Sequence, residues 1–119
     1  MTTERQAVGA YGEQRAAEHL QAHGLVLLHR NWRCSDGEVD LILRDGDTVV
    51  FCEVKTRRGD TFGTPAEAVD YRKVRKLRQL GARWLHESGI HPRSIRFDVV
   101  EVRSRRHGDD EITHIRSAF

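Results

Sequence analysis

The sequence is poor in the features that mark several classes of protein. It has only two cysteines among 119 residues, so neither a disulfide framework nor a cysteine metal motif is expected. No apolar run approaches the ~20 residues that a transmembrane helix needs. The N-terminal stretch carries acids and lacks the apolar segment of a signal peptide. We therefore expect a cytoplasmic protein with reduced thiols that does not enter the membrane.

Length and charge narrow the choice further. A chain of 119 residues, 38% of them hydrophobic, suits one compact domain covering residues 1–119. The net charge of +2 does not by itself indicate a nucleic-acid partner. The cations are unevenly spread, however, because residues 55–83 contain nine basic and only three acidic residues. Such a basic band either binds phosphates or forms an ordinary solvated helix face.

Periodicity and turn residues predict seven elements. An amphipathic pattern ending at Gly24 predicts a first helix, and Pro65, with Thr64 as its cap, predicts the start of a second. The predicted helices are 5–23 and 65–87, and the predicted strands are 25–32, 38–43, 48–56, 95–102 and a short edge strand at 112–115. The order α-β-β-β-α-β(-β) indicates an α/β fold with a central mixed sheet flanked by helices.

The predicted hairpin concentrates charged side chains on one face. Strand alternation places Glu38 with Asp40 on the first strand, and Glu53 with Lys55 on the second. A two-residue turn at Asp45-Gly46 would make Asp40 and Glu53 diagonal neighbours on that face.

Partly buried carboxylates in such proximity need compensation. Unpaired buried acids are costly and repel one another, and Mg²⁺ or Mn²⁺ prefers oxygen ligands. A metal held by Asp40 and Glu53 would bind a phosphodiester oxygen and acidify a bound water. Lys55 would then position or deprotonate the attacking water, or stabilise charge on the phosphate.

Each predicted helix also carries one charged residue on the side expected to face the sheet. Glu13 lies on the apolar face of the first helix, and Lys73 lies between Val69 and Leu77 on the inward stripe of the second. Each either reaches the solvent at the edge of the core or joins a functional site.

These residues fall in motifs that resemble a known superfamily. G-E-V-D-L-I at 37–42 followed by V-F-C-E-V-K-T-R at 50–57 resembles the D…(E/D)-x-K signature of restriction-endonuclease-like nucleases. The chain is more closely similar to the small bacterial YraN-like family of predicted endonucleases, which are similar to archaeal Holliday-junction resolvases. The further matching motifs are G-x-Y-G-E at 9–13, N-W-R-C at 31–34, F-G-T-P-A-E-A-V at 62–69 and R-F-D-V-V at 96–100.

The resemblance implies a restriction-endonuclease-like fold and metal-dependent hydrolysis of DNA, including branched or junction DNA. Asp40 and Glu53 match the metal-binding acids, Lys55 matches the catalytic lysine, and Glu13 matches a helix-borne acid of some members. Glu38 stands where many superfamily members have proline, and it is expected either to contact the metal-binding acids or to be an additional ligand. Symmetric cutting of branched DNA would favour a homodimer.

The cations nearest the predicted site are the expected contacts to the DNA backbone. They are Arg57, Arg58, Arg72 and Lys73. Two alternatives remain open at this stage. The same fold would serve as a non-catalytic nucleic-acid-binding module, with binding that survives EDTA. It would also serve as an interaction protein in which the acids and Lys55 form a buried ion-pair network.

Overall fold

A computed structural model describes residues 3–59, 71–105 and 107–119, without the side chain of Arg5. The helices are α1 (Glu4–Ala22) and α2 (Tyr71–Ser88), and the strands are β1 (Val26–Cys34), β2 (Gly37–Asp45), β3 (Thr48–Arg58), β4 (Ser94–Ser104) and β5 (Glu111–Ile115). The predicted α/β class and the order of elements are confirmed. The predicted start of the second helix, at Thr64 and Pro65, lies outside the described residues. Over the part of the chain described, neither helix combines the length and apolarity needed to cross a membrane.

The five strands form one mixed sheet in the order β1-β2-β3-β4-β5. β1, β2 and β3 are antiparallel, β3 and β4 are parallel, and β5 is antiparallel to β4. Parallel neighbours require a crossover connection, and α2 lies in the one between β3 and β4. β3, which contains residues 53–55, is the third of the five strands and so lies at the centre of the sheet.

Each helix covers one face of the sheet. α1 packs through Ala16, Ala17 and Leu20 on a core that includes Val50 and Cys52 of β3. α2 packs through Leu77, Leu80 and Trp84 on a second core that includes Val49 and Phe51 of the same strand. Because successive side chains of a strand point to opposite faces, β3 contributes alternately to the two cores.

The turn between β2 and β3 differs from the prediction. Asp45 pairs with Thr48, so the central residues are Gly46 and Asp47 instead of Asp45 and Gly46. Gly46 has φ +60° and occupies the first central position, which is where a type II′ turn requires glycine. The predicted register was therefore wrong. In the observed register the ladder ends at Leu41↔Cys52, one residue before Asp40 and Glu53, so the predicted diagonal pairing of these two residues within the ladder is not found.

A glycine brings α1 close to β3. A Cβ atom added at Gly12 would lie 1.8 Å from Thr56 Oγ1, on a short β-branched side chain that has little freedom to move away. At Gly9, in the preceding turn, an added Cβ would meet nothing within 4 Å. Gly12 thus sets the distance at which α1 crosses β3, and the next residue is Glu13.

Candidate functional site

β2 is irregular at Asp40. Val39 belongs to the α2 core and Leu41 to the α1 core, although residues two apart on a regular strand share a face. On β1, between the pairs Arg30↔Leu41 and Trp32↔Val39, Asn31 adopts φ +53°. Asparagine tolerates this left-handed conformation better than most residues do. The strand therefore rotates at Asp40.

The rotation turns the Asp40 side chain toward β3. Asp40 Oδ2 accepts a hydrogen bond of 2.8 Å from the backbone N–H of Val54. The ladder between β2 and β3 runs from Asp45↔Thr48 only as far as Leu41↔Cys52. Where the strands separate, a cavity of about 200 Å³ opens beneath α2, lined in part by Glu38, Asp40, Glu53, Lys73 and Lys76.

Glu53 faces this cavity and is paired with a lysine of α2. Lys73 Nζ donates to Glu53 Oε1 at 2.9 Å, and the Glu53 side chain is 22% exposed. Lys73 was expected to contact substrate, and the structure places its ammonium group on a predicted metal ligand. An internal cation therefore already offsets part of the negative charge here.

Lys55 lies two residues after Glu53 on β3, so the two side chains are on the same face of the strand. It is half-buried. Burial lowers its pKa; the Glu53 carboxylate partly offsets this shift, and the charges of Lys73 and Arg57 add to it. A larger fraction of its amine is therefore neutral near pH 7 than for an exposed lysine, and the neutral amine is the form that can take a proton.

Asp40 carries the most perturbed carboxyl of the site. Burial raises its pKa to about 7, and the Val54 N–H opposes that rise. The negative charges of Glu13, Glu38 and Glu53 raise the pKa further. Three carboxylates thus act on Asp40 through their charge, and among the described residues the Val54 N–H is the hydrogen-bond donor that favours its ionised form.

Asp98 provides a contrast within the same sheet. Its side chain is fully buried. Burial raises its pKa, but hydrogen bonds from His114, Arg96 and the Ser117 N–H outweigh that effect and hold the pKa below its ordinary value. The contacts are 2.7 Å to His114 Nε2, 2.9 Å to Arg96 Nε and 2.9 Å to Ser117 N. The fold therefore stabilises the ionised form of Asp98, whereas the surroundings of Asp40 favour its protonated form up to about pH 7.

The two other predicted acids lie around Asp40. Glu13 is half-buried on α1, close enough for its charge to act on Asp40. Glu38 is mostly exposed and forms an ion pair of 3.0 Å with Arg33. The structure thus brings Asp40, Glu53 and Glu38 to one cavity, whereas Lys55 lies farther along β3 and Glu13 acts on Asp40 from α1.

The predicted substrate-binding arginines are distributed differently. Arg57 Nε contacts the buried carboxylate of Glu101 at 3.0 Å, and Arg58 contacts Glu4 at 2.8 Å. Arg72 is exposed on α2. Arg57 therefore has a partner in the core of the sheet, and Arg72 is the more accessible to a ligand.

The donor set fits a magnesium-like cation. In the described ranges, no three histidine, cysteine or carboxylate side chains converge on one point. Asp40 Oδ2 is bonded to Val54 and Glu53 Oε1 to Lys73, which leaves one oxygen of each carboxylate for a ligand. Mg²⁺ is usually held by one or two carboxylates, with water and substrate phosphates completing its shell. The cavity volume corresponds to on the order of six water molecules.

Sequence reasoning missed two features of this site. One is the backbone N–H of Val54 as the partner of Asp40, since the bend that creates it depends on β1. The other is Asn31, whose only sequence signal is that asparagine tolerates positive φ. Tyr71, an exposed aromatic residue at the first described position of α2, was also not singled out.

Known relatives match almost the whole chain. Residues 12–109 match the family described as "Uncharacterised protein family UPF0102". A UPF0102 protein of Nocardioides sp. (strain ATCC BAA-499 / JS614) is 53% identical over 94% of this chain and 90% of its own length. A UPF0102 protein of Frankia alni is 52% identical over 97% of this chain and 96% of its own. The chain therefore belongs to the UPF0102 family.

Proposed function

We propose that this protein is a metal-dependent nuclease that hydrolyses phosphodiester bonds of DNA, with branched DNA as its expected substrate. The observation that carries the proposal is the contrast between two buried aspartates. The fold neutralises Asp98 with three hydrogen-bond donors, whereas it places Asp40 among Glu13, Glu38 and Glu53. A buried carboxyl group whose ionised form is destabilised by neighbouring acids indicates a binding site for a cation.

The residues of the site have separate roles in this reaction. Asp40 and Glu53 would hold Mg²⁺ or Mn²⁺, which supplies Lewis-acid activation of the phosphate and of a water molecule. Lys55 Nζ takes the proton from the attacking water as its oxygen bonds to phosphorus. The phosphorus–oxygen bond to the leaving group breaks, and the leaving oxygen takes a proton from solvent.

Support comes from three directions. Two of the D…(E/D)-x-K positions predicted from the sequence, Asp40 and Glu53, line one cavity, and the third, Lys55, follows on the same face of β3 as Glu53. The pKa of Lys55 is lowered, as a proton acceptor requires. The nuclease resemblance covers the same motifs.

Cleavage assays with matched variants test the proposal. We expect wild type with Mn²⁺ or Mg²⁺ to cleave linear, flapped or four-way DNA, and EDTA to stop it. Lys55→Met should lower the rate by at least about 100-fold, the contribution of a general base. Glu53→Gln should abolish metal-dependent cleavage, whereas Glu18→Gln, on the exposed side of α1, should cleave like wild type. Circular dichroism confirms that each variant is folded.

The Lys73–Glu53 ion pair favours a second candidate, an interaction protein stabilised by a charge network. That candidate predicts no nucleic-acid binding and a Lys55→Met variant as stable as wild type or more so. A non-catalytic binding module predicts DNA binding that survives EDTA and Glu53→Ala, without cleavage. Absence of cleavage by metal-loaded wild type on all three DNA forms would overturn the nuclease proposal.

A further inference from the structure

We propose that a single-stranded segment of nucleic acid docks on the outer face of α2 and stacks a base on Tyr71. This deepens the proposed function and rests on it, because it names the form in which substrate reaches the site. The outer face of α2 is the side formed by Tyr71, Val74, Arg75, Arg78, Gln79 and Ala82, which line a shallow groove of about 470 Å³.

The outer face lies on the side of the helix away from the sheet. At 3.6 residues per turn, Tyr71, Arg75, Arg78 and Ala82 form one stripe. The opposite stripe contains Leu77 and Leu80, which pack on the sheet. Of the outer residues, Arg78 lies over the core residue Phe97, and the others are not members of the core cluster under α2.

Tyr71 is the most exposed large hydrophobic residue among those described, at 91%. Tyrosine usually packs most of its ring and finds a partner for its hydroxyl group. Here the ring packs on almost nothing and the hydroxyl has no hydrogen-bond partner in the described parts of the chain. A flat aromatic ring open to solvent is the surface on which an unstacked base is bound.

The charges that follow Tyr71 along the outer half of α2 are of one sign. Between Tyr71 and Ala82 there are five basic residues and no acidic one. Arg78 lies over the ring of Phe97, at 5.4 Å from its centroid. Arg72 and Arg75 form no ion pair with any described acid. Cations interleaved with an aromatic ring match the phosphates and bases of a single strand.

A protein partner fits this face less well. Apart from Tyr71, its apolar residues are only Val74 and Ala82. A stable protein interface needs a larger apolar centre surrounded by a polar rim. An acidic protein would pair with the arginines but would give the exposed ring no matching surface.

The same helix joins this face to the site. Lys73, two residues after Tyr71, points to the sheet and contacts Glu53. A strand stacked on Tyr71 would therefore lie within one helical turn of the lysine that contacts Glu53. An unstacked base occurs in single strands, at flaps and at junctions, but not inside an intact duplex.

Fluorescence anisotropy with a labelled oligo(dT) single strand, in EDTA, tests the inference. We expect Tyr71→Ala to weaken binding by about 5- to 100-fold, the range for loss of one stacked base. Tyr71→Phe should bind like wild type because it keeps the ring. Arg75→Gln should weaken binding and reduce its salt dependence. Arg44→Gln, an exposed arginine at the β2–β3 turn, serves as the matched control and should change nothing.

A duplex of the same length completes the design. Its binding should be insensitive to Tyr71→Ala because its bases are already stacked. The inference is overturned if Tyr71→Ala binds oligo(dT) as tightly as wild type, or if wild type binds no single strand at low salt. Asp40→Asn should keep Tyr71-dependent binding while it loses cleavage, so failure of the nuclease proposal and failure of this one give different results.

Discussion

Asp40→Asn is expected to stabilise the metal-free protein by about 2–4 kcal/mol above pH 7.5. The reason is the burial of Asp40 among carboxylates, which raises its pKa from 3.8 to about 7. Asparagine keeps an oxygen to accept the Val54 N–H but carries no charge. Urea unfolding in EDTA measures the effect, followed by the fluorescence of the buried Trp32 and Trp84.

The sign of this effect on stability follows from the pH range in which folded Asp40 keeps its proton. Between about pH 4 and pH 7 the folded protein holds a proton on Asp40 that the unfolded chain has released. Wild type therefore loses stability as the pH rises through that window. The difference between Asp40→Asn and wild type should be close to zero near pH 4 and largest above pH 7.5. The exposed Asp109→Asn is the control, and an equal effect of Asp40→Asn at both ends of the window would contradict this account.

Asp98→Asn, the same substitution at the other buried aspartate, should destabilise the protein by about 3 kcal/mol at neutral pH. The carboxylate of Asp98 accepts from His114, Arg96 and the Ser117 N–H, so its removal leaves two partly buried side chains without their acceptor charge. Because these interactions lower the pKa of Asp98, their contribution is present at neutral pH and is lost as the pH falls through the folded-state pKa.

The two aspartates thus give opposite signs for one chemical change. Urea unfolding of both variants at pH 8 measures them side by side. Destabilisation by both variants would mean that Asp40 is as well compensated as Asp98. The assignment of Asp40 to a ligand site would then lose its physical basis.

Strand alternation allowed much of the site to be predicted. Glu53 and Lys55 share a face of β3 with Phe51, which packs under α2. The order of elements followed from hydrophobic periodicity and from Gly24 and the Asp-Gly pair. These are local signals, and local signals are strong where a strand is regular.

The remaining features depend on long-range contacts. The predicted hairpin turn was displaced by one residue from the observed turn. The sequence contains both Asp-Gly and Gly-Asp, and either pair suits a two-residue hairpin turn. The rotation of β2 at Asp40 involves Asn31 on β1, and the Lys73–Glu53 pair joins elements 20 residues apart. The exposure of Tyr71 became visible only when the packing of α2 was known.

Calorimetric titration of Mn²⁺ at pH 8 into wild type, Asp40→Asn and Glu53→Gln tests the central claim most directly. Asp40→Asn is expected to be folded and more stable than wild type, so any lost binding reports the carboxylate and not unfolding. We predict binding to wild type, strengthened by a short DNA that offers phosphate oxygens, and none to either variant. No Mn²⁺ binding to wild type, with or without DNA, would contradict the account.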